Sequence, residues 1–336
     1  MPTIKDVAKR AGVSPATVSY VLNQTRFVSP ATEARVRQAI RELNYQPNHI
    51  ARSLRARRTM TVGMIMSDIT NPFFADIVRG AEDVLSEKHY SLILCNTDEA
   101  PERELATLQL LRQKKVDGLI VVATGHNVAP LYEVNALGLP VVLVDRQLPG
   151  DQLDTVVVDN QAGAYQATRH LLELGHRRIG LIIGLQGIST TMQRRRGYEL
   201  ALQDYGLAPD PTLIQEGHST IEGGAAAAET LLDLNPPPTA LFATNNLMTI
   251  GVFLTIKQRR LRCPQDIAVV GFDDMVWLSV FTPGVTTVVQ PSYEIGQRAA
   301  HLLLDRMTGK SPHTPRVIML APQLIIRESC GYRHTL

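Results

Sequence analysis

Three sets of apolar residues at helical spacing open the chain. Ile4, Val7 and Ala8, then Val18, Val21 and Leu22, then Val36, Ile40 and Leu43 recur three or four positions apart. Each set follows a helix-start signal: Thr3, Ser14-Pro15 and Ser29-Pro30. Gly12 supplies the bend between the first two, so residues 3–23 read as two short helices about a tight turn, the unit that sets a helix into a DNA major groove. The seven residues 48–54 place Ala51 and Leu54 on one side. So short a helix does not recover its nucleation cost, and order there is expected only against DNA or a partner chain.

From residue 61 the texture changes to short continuous apolar runs alternating with longer amphipathic stretches. Strands are predicted over 62–66, 91–96, 119–122, 140–144 and 156–158, with helices over 73–88 and 101–114. The pattern then restarts, with helices over 161–174, 194–205, 221–234 and 247–259 and strands over 179–183, 213–215, 240–243 and 267–271. Segments 286–289, 292–307, 317–320 and 324–326 are too few for a third sheet and are expected to complete the first two. The predicted fold is an all-α helix-turn-helix headpiece and an α/β body of two parallel-sheet lobes around a cleft.

Charge separates the two parts. Residues 1–60 hold 11 Lys/Arg and three Asp/Glu, a net +8, whereas the whole chain is only +2, so the remainder is net −6. A basic head on an acidic body points to a head that meets a polyanion. No apolar run is long enough to span a bilayer, and no export signal follows the first charges, so no membrane association and a cytoplasmic location are expected. Cys95, Cys263 and Cys330 are odd in number and widely spaced, unlike a disulfide framework or metal site. No Gly-rich phosphate loop, metal cluster or nucleophile elbow is present; no catalytic residue, cofactor or metal is expected.

The stretches TIKDVAKRAGVSPATVSYVLN, ARSL, DITNPFF, VDGLI, VDR, LGHRRIG and VVGFDD together resemble the LacI/GalR family of bacterial transcription factors. TRFVS, RELNYQPNHIARSL and LILCNT are most similar to its purine and ribose repressor branch. The resemblance implies a dimer or a tetramer on a palindromic double-stranded operator, and a periplasmic-binding-protein-like body that senses a small effector; residues 327–336 carry no leucine heptad, so a homodimer is expected. It also implies the division into a headpiece at 1–47, a hinge at 48–60, one lobe at 61–160 plus 291–320 and another at 161–290 plus 321–336.

Carried onto this chain, the family's DNA-contacting positions are Thr3, Ser14, Pro15, Ala16, Thr17, Ser19, Tyr20, Asn23 and Arg26 in the headpiece. In the hinge they are Asn48, Ala51, Arg52, Leu54 and Arg55, with Leu54 as a minor-groove wedge. Pro15 and Ala16 stand where relatives often carry hydrogen-bonding side chains, which shifts attention from base reading by the helix to the hinge. The effector positions are Asn71, Phe73, Phe74, Asp145, Arg146, Arg194, Ser219, Asn245 and Asp273. Ser219 replaces a frequent aromatic, and Asn246 replaces a frequent aspartate. A guanidinium and carboxylates suit a hydroxyl-rich ligand, so a sugar such as a pentose is the first expectation and a nucleobase or nucleoside co-repressor the second. A solute-binding protein would share the body but lack the basic head.

Overall fold

The computed structural model describes residues 2–23, 26–45, 58–125, 128–150, 152–310 and 314–331, and the chain forms two compact units, Met1–Thr59 and Met60–Leu336. The hinge positions Asn48, Ala51, Arg52, Leu54 and Arg55 lie outside the described residues.

In the first unit, α1 (Ile4–Ala11), α2 (Pro15–Asn23) and α3 (Pro30–Glu42) enclose Val7, Ala8, Ala11, Val18, Val21, Val36 and Ala39. Gly12 ends α1 in the left-handed region at φ 64°, which glycine adopts without a Cβ penalty. Ser14 caps α2 by accepting from the Thr17 amide at 3.1 Å. Thr3 works differently: its amide and hydroxyl both donate to the Asp6 carboxylate at 2.7 Å, and these bonds lower the Asp6 pKa.

The second unit holds two six-stranded sheets. The first contains β1 (Thr61–Met66), β2 (Ser91–Asn96), β3 (Gly118–Val121), β4 (Val141–Val144) and β5 (Asp154–Val158). The second contains β6 (Ile179–Ile183), β7 (Ile214–Glu216), β8 (Ala240–Ala243), β9 (Ala268–Phe272) and β10 (Thr286–Val289). β11 (Val317–Leu320) joins the first sheet parallel to β5, and β12 (Gln323–Ile325) joins the second antiparallel to β10. The orders are β11-β5-β4-β3-β1-β2 and β12-β10-β9-β8-β6-β7, the same winding twice. The chain therefore passes between sheets after β5, after β10 and between β11 and β12. β1, β3, β4, β6, β8 and β9 run through the interior, their side chains almost wholly buried, and this explains their unbroken apolar sequence.

Helices α4 (Pro72–Glu87), α5 (Pro101–Gln113) and α6 (Ala129–Ala136) precede the first crossing; α7 (Asn160–Glu173), α8 (Ser189–Asp204), α9 (Ile221–Leu232) and α10 (Asn246–Gln258) follow it, and α11 (Ser292–Met307) returns to the first lobe. α4 and α11 pack backbone to backbone: a Cβ at Gly80 would meet the Tyr293 carbonyl, and one at Gly296 the Ile77 carbonyl. α6 is absent from the sequence reading, because this eight-residue helix buries only Leu131 and Val134 and has no repeat long enough to register. Among the described residues no helix is long and apolar enough to cross a membrane, and no group of His, Cys, Asp and Glu is arranged to hold a metal.

Candidate functional site

Each strand β4 and β9 is followed by an aspartate in the left-handed region, Asp145 at φ 67° and Asp273 at φ 71°. The two positions are equivalent in the winding: the Asp145 amide donates to Val156 O (3.0 Å) on β5, and the Asp273 amide to Val288 O (2.8 Å) on β10. Both side chains turn into a cleft of about 490 Å³ at the carboxyl ends of the strands, where open α/β sheets present their binding surfaces. All nine effector positions taken from the sequence line this cleft.

Helix starts build much of the wall. Asn71 caps α4 by accepting from the Phe73 amide at 3.1 Å, which fixes Phe73 and Phe74 edge-to-face at the cleft with ring centroids 5.1 Å apart. Both rings also belong to the core of the first lobe. Asn245 caps α10 through the Met248 amide (2.7 Å), and its own amide donates to Ser219 O (3.3 Å). His218 and Ser219 are successive left-handed residues, which turns the chain sharply at the rim. Asn246, the replacement for a family aspartate, has its own partner: its amide donates to Asn71 Oδ1 (2.7 Å), and Asn71 donates back to Asn246 Oδ1 (3.1 Å). This reciprocal pair of amides joins the lobes beside the cleft. Gln147 adds a second tie, its backbone amide donating to Ser189 Oγ at 3.0 Å.

Arg194 is buried, with its guanidinium 3.8 Å from the Phe272 ring centroid. Its Nε donates to Asn160 Oδ1 (2.7 Å) and its Nη1 to Thr244 O (2.5 Å). Burial lowers its pKa, and the negative charges of Asp273 and Asp145 oppose that effect. Arg146 differs from the sequence reading in its availability. Its two terminal nitrogens grip the Glu99 carboxylate at 2.5 and 2.7 Å, and Nη1 also donates to Ala123 O at 2.8 Å. It lines the cleft with both terminal nitrogens committed; burial lowers its pKa, but the bonds and charge of Glu99 with the charges of Asp145 and Glu104 together raise it.

Burial pushes the Asp145 carboxyl up to about 6, against the pull of Arg146 and Arg194, and the Asp273 charge adds to the rise. Burial also raises Asp273, opposed by Arg194 and by a 2.5 Å hydrogen bond from Gln290 Nε2. Glu99, Thr190, Thr191 and Gln290 escape the sequence reading, whereas Asn246 is singled out there only as a departure from the family pattern. Ser189, Thr190 and Thr191 read as loop because α8 was expected to begin at residue 194.

In the headpiece Ser14, Pro15, Ala16 and Arg26 are exposed, and Thr17, Ser19 and Tyr20 are half-buried. Arg26 lies over the Tyr20 ring at 5.2 Å, which holds a cation beside the end of α2. Asp274, next to Asp273, is tied to Arg327 at 2.8 and 2.9 Å, and Arg195 pairs with Glu199 on the outer face of α8.

Comparison with known proteins places both units. Residues 3–48 match the family described as bacterial regulatory proteins, lacI family, and residues 59–328 match periplasmic binding proteins and sugar binding domain of LacI family. The chain is 39% identical over 337 residues to the HTH-type transcriptional repressor PurR of Aliivibrio fischeri, covering 99% of each. It is similar to the solved complex of the transcriptional regulator CelR with cellobiose at 35% identity, 98% and 100% coverage and a TM-score of 0.75. It is also similar to the Lac repressor dimer bound to operator and the anti-inducer ONPF, at 27% identity, 98% and 99% coverage and a TM-score of 0.86.

Proposed function

The chain belongs to the LacI family of bacterial transcriptional repressors, and from that premise we propose that it binds a palindromic operator as a homodimer and is switched by a polyhydroxylated small molecule held between its lobes. The observation that carries this reading is the interlobe cleft, where Asp145 and Asp273 offer acceptors and Arg194 offers donors to one space between the lobes. Carboxylates accept from paired hydroxyls, and a fixed guanidinium orients them. The cellobiose held by CelR supports a sugar, and Ser219 leaves that wall without a stacking face. A nucleobase acting as co-repressor is the second reading, favoured by the identity to the PurR repressor.

On the DNA side the proposed contacts are Thr3, Ser14–Thr17, Ser19, Tyr20, Asn23 and Arg26, with Asn48, Ala51, Arg52, Leu54 and Arg55 in the hinge. The functional division runs 1–47, 48–60, 61–160 plus 291–320, and 161–290 plus 321–336. The dimer reading draws on an apolar groove lined by Ile250, Phe253, Leu254, Leu278 and Phe281, beside Val276 and Val280, which are 91% and 77% exposed. The coupling is allosteric: closure about the effector shifts the lobe edges of paired chains and so the geometry of their hinges.

The test selects an operator from random duplexes and follows its binding by anisotropy across a panel of pentoses, hexoses, nucleosides and free bases. A change in operator affinity with one ligand class is expected. Affinity that stays constant under every ligand shown to bind would refute the switch and leave DNA binding intact.

A further inference from the structure

The cleft carries a charge imbalance that a plain sugar does not answer. Six carboxylates line it against two guanidiniums: besides Asp145 and Asp273 there are Asp68, Asp98, Glu99 and Glu222. Most are already satisfied. Glu99 holds Arg146, Asp98 holds Arg103, Asp68 accepts from the Thr70 amide and hydroxyl at 2.9 and 2.6 Å, and Asp273 accepts from Gln290.

Glu222 is exposed at the rim, and Asp145 is the buried exception. The residue is 6% exposed, its carboxylate faces the cleft, and among the described residues its one charged partner is the loosely placed Arg146. Its nearest cation is Arg146 Nε at 3.6 Å, on a guanidinium already held by Glu99, and that Nε is itself buried without a hydrogen bond. A carboxylate largely withdrawn from water, with no close donor from the protein, is unfavourable, and a cation entering from the cleft to within bonding distance relieves it. Arg194 does not fill that role, because Nε and Nη1 point to Asn160 and Thr244.

We propose that the effector carries a basic, cationic nitrogen on a hydroxyl-bearing frame, and that Asp145 receives this nitrogen. The proposal rests on the reading of the interlobe cleft as the effector site. It also disfavours phosphate esters, which would enter a cleft whose lining carboxylates outnumber their paired guanidiniums by three once Arg103 is counted against Asp98.

The experiment is calorimetric titration of the full chain at pH 7.5 with pairs that differ by amine for hydroxyl. Glucitol with glucamine and glucose with glucosamine serve as pairs, ribose 5-phosphate as the anionic arm and free bases as a further arm. The amine is expected to bind about tenfold tighter than its hydroxyl partner, as a desolvated charge pair gives. Asp145→Asn is expected to remove most of that preference. Glu222→Gln, at the exposed rim and safe for folding, is expected to reduce it about two- to threefold. Amines that bind no better than their partners, or not at all, overturn the proposal. If neutral members still bind, the polyol reading survives it. If only free bases bind, both fall.

Discussion

Replacing Asp145 by Asn is expected to stabilise the ligand-free protein while weakening its ligand binding. The magnitude follows from the interval between the ordinary carboxyl value of 3.8 and the value of about 6 that burial imposes. A carboxyl raised in the folded state holds its proton more tightly there than in the unfolded chain. Stability is therefore lost as pH rises from 3.8 through about 6, and above pH 7 the full penalty is about 3 kcal/mol. Asparagine keeps the shape and removes the charge, and the glutamate partner of Arg146 remains in place. The penalty disappears, and an unfolding midpoint at pH 8 rises by up to about 6 °C for a body of this size. At pH 4.5 most of the wild-type group is already protonated in the fold, and the advantage of the variant shrinks to about 1 kcal/mol. Thermal unfolding of both proteins from pH 4.5 to 8 reads this directly. A variant less stable than wild type at pH 8, or a gain that does not shrink on acidification, would refute the reasoning.

Four further outcomes are expected. Asn246→Asp keeps an acceptor for the Asn71 amide but loses the return bond, so ligand dissociation constants rise about three- to tenfold by calorimetry; unchanged affinity would remove the latch from the account. Arg194→Lys cannot bond Asn160 and the Thr244 carbonyl together while lying on Phe272, and a loss of ligand affinity of about 100-fold or more is expected, with binding within threefold of wild type as the contrary result. Gly296→Ala forces α4 and α11 apart and lowers stability by about 1–3 kcal/mol in denaturant titrations, whereas an unchanged midpoint would contradict the close approach. Leu54→Ala is expected to weaken operator binding and reduce duplex bending measured by end-to-end energy transfer, and equal bending would take the wedge role away from the hinge.

Legibility followed the range of the interactions. Strands buried on both faces announce themselves as apolar runs, and β6, β8 and β10 fall where their residues predict, as do the part-exposed edge strands β2 and β11. Helix starts with short polar side chains are harder, because serine and threonine also mark loops. α8 begins five residues ahead of its predicted start and brings Thr190 and Thr191 to the cleft. The family likeness supplied nine positions that converge on one cavity, yet it conveyed nothing of their engagement. Glu99 lies 47 residues from Arg146, and no local period reveals that the pair closes on itself. Asn246 shows the same limit from the other side: a missing charge is visible in the sequence, while the amide that answers it stands 175 residues away.

The matched aspartates at the ends of β4 and β9 bear on how such a protein acquires a new signal. Both occupy left-handed backbone positions, where aspartate and asparagine are the side chains most readily accommodated after glycine. Exchange between these two leaves the backbone turn intact and alters only charge, and their codons differ by a single base. Each wall of the cleft can thus be reset between anionic and neutral independently of the other. Lineages sharing this scaffold can drift among differently charged effectors through folded, functional intermediates, with no step that requires rebuilding the turn that presents the side chain.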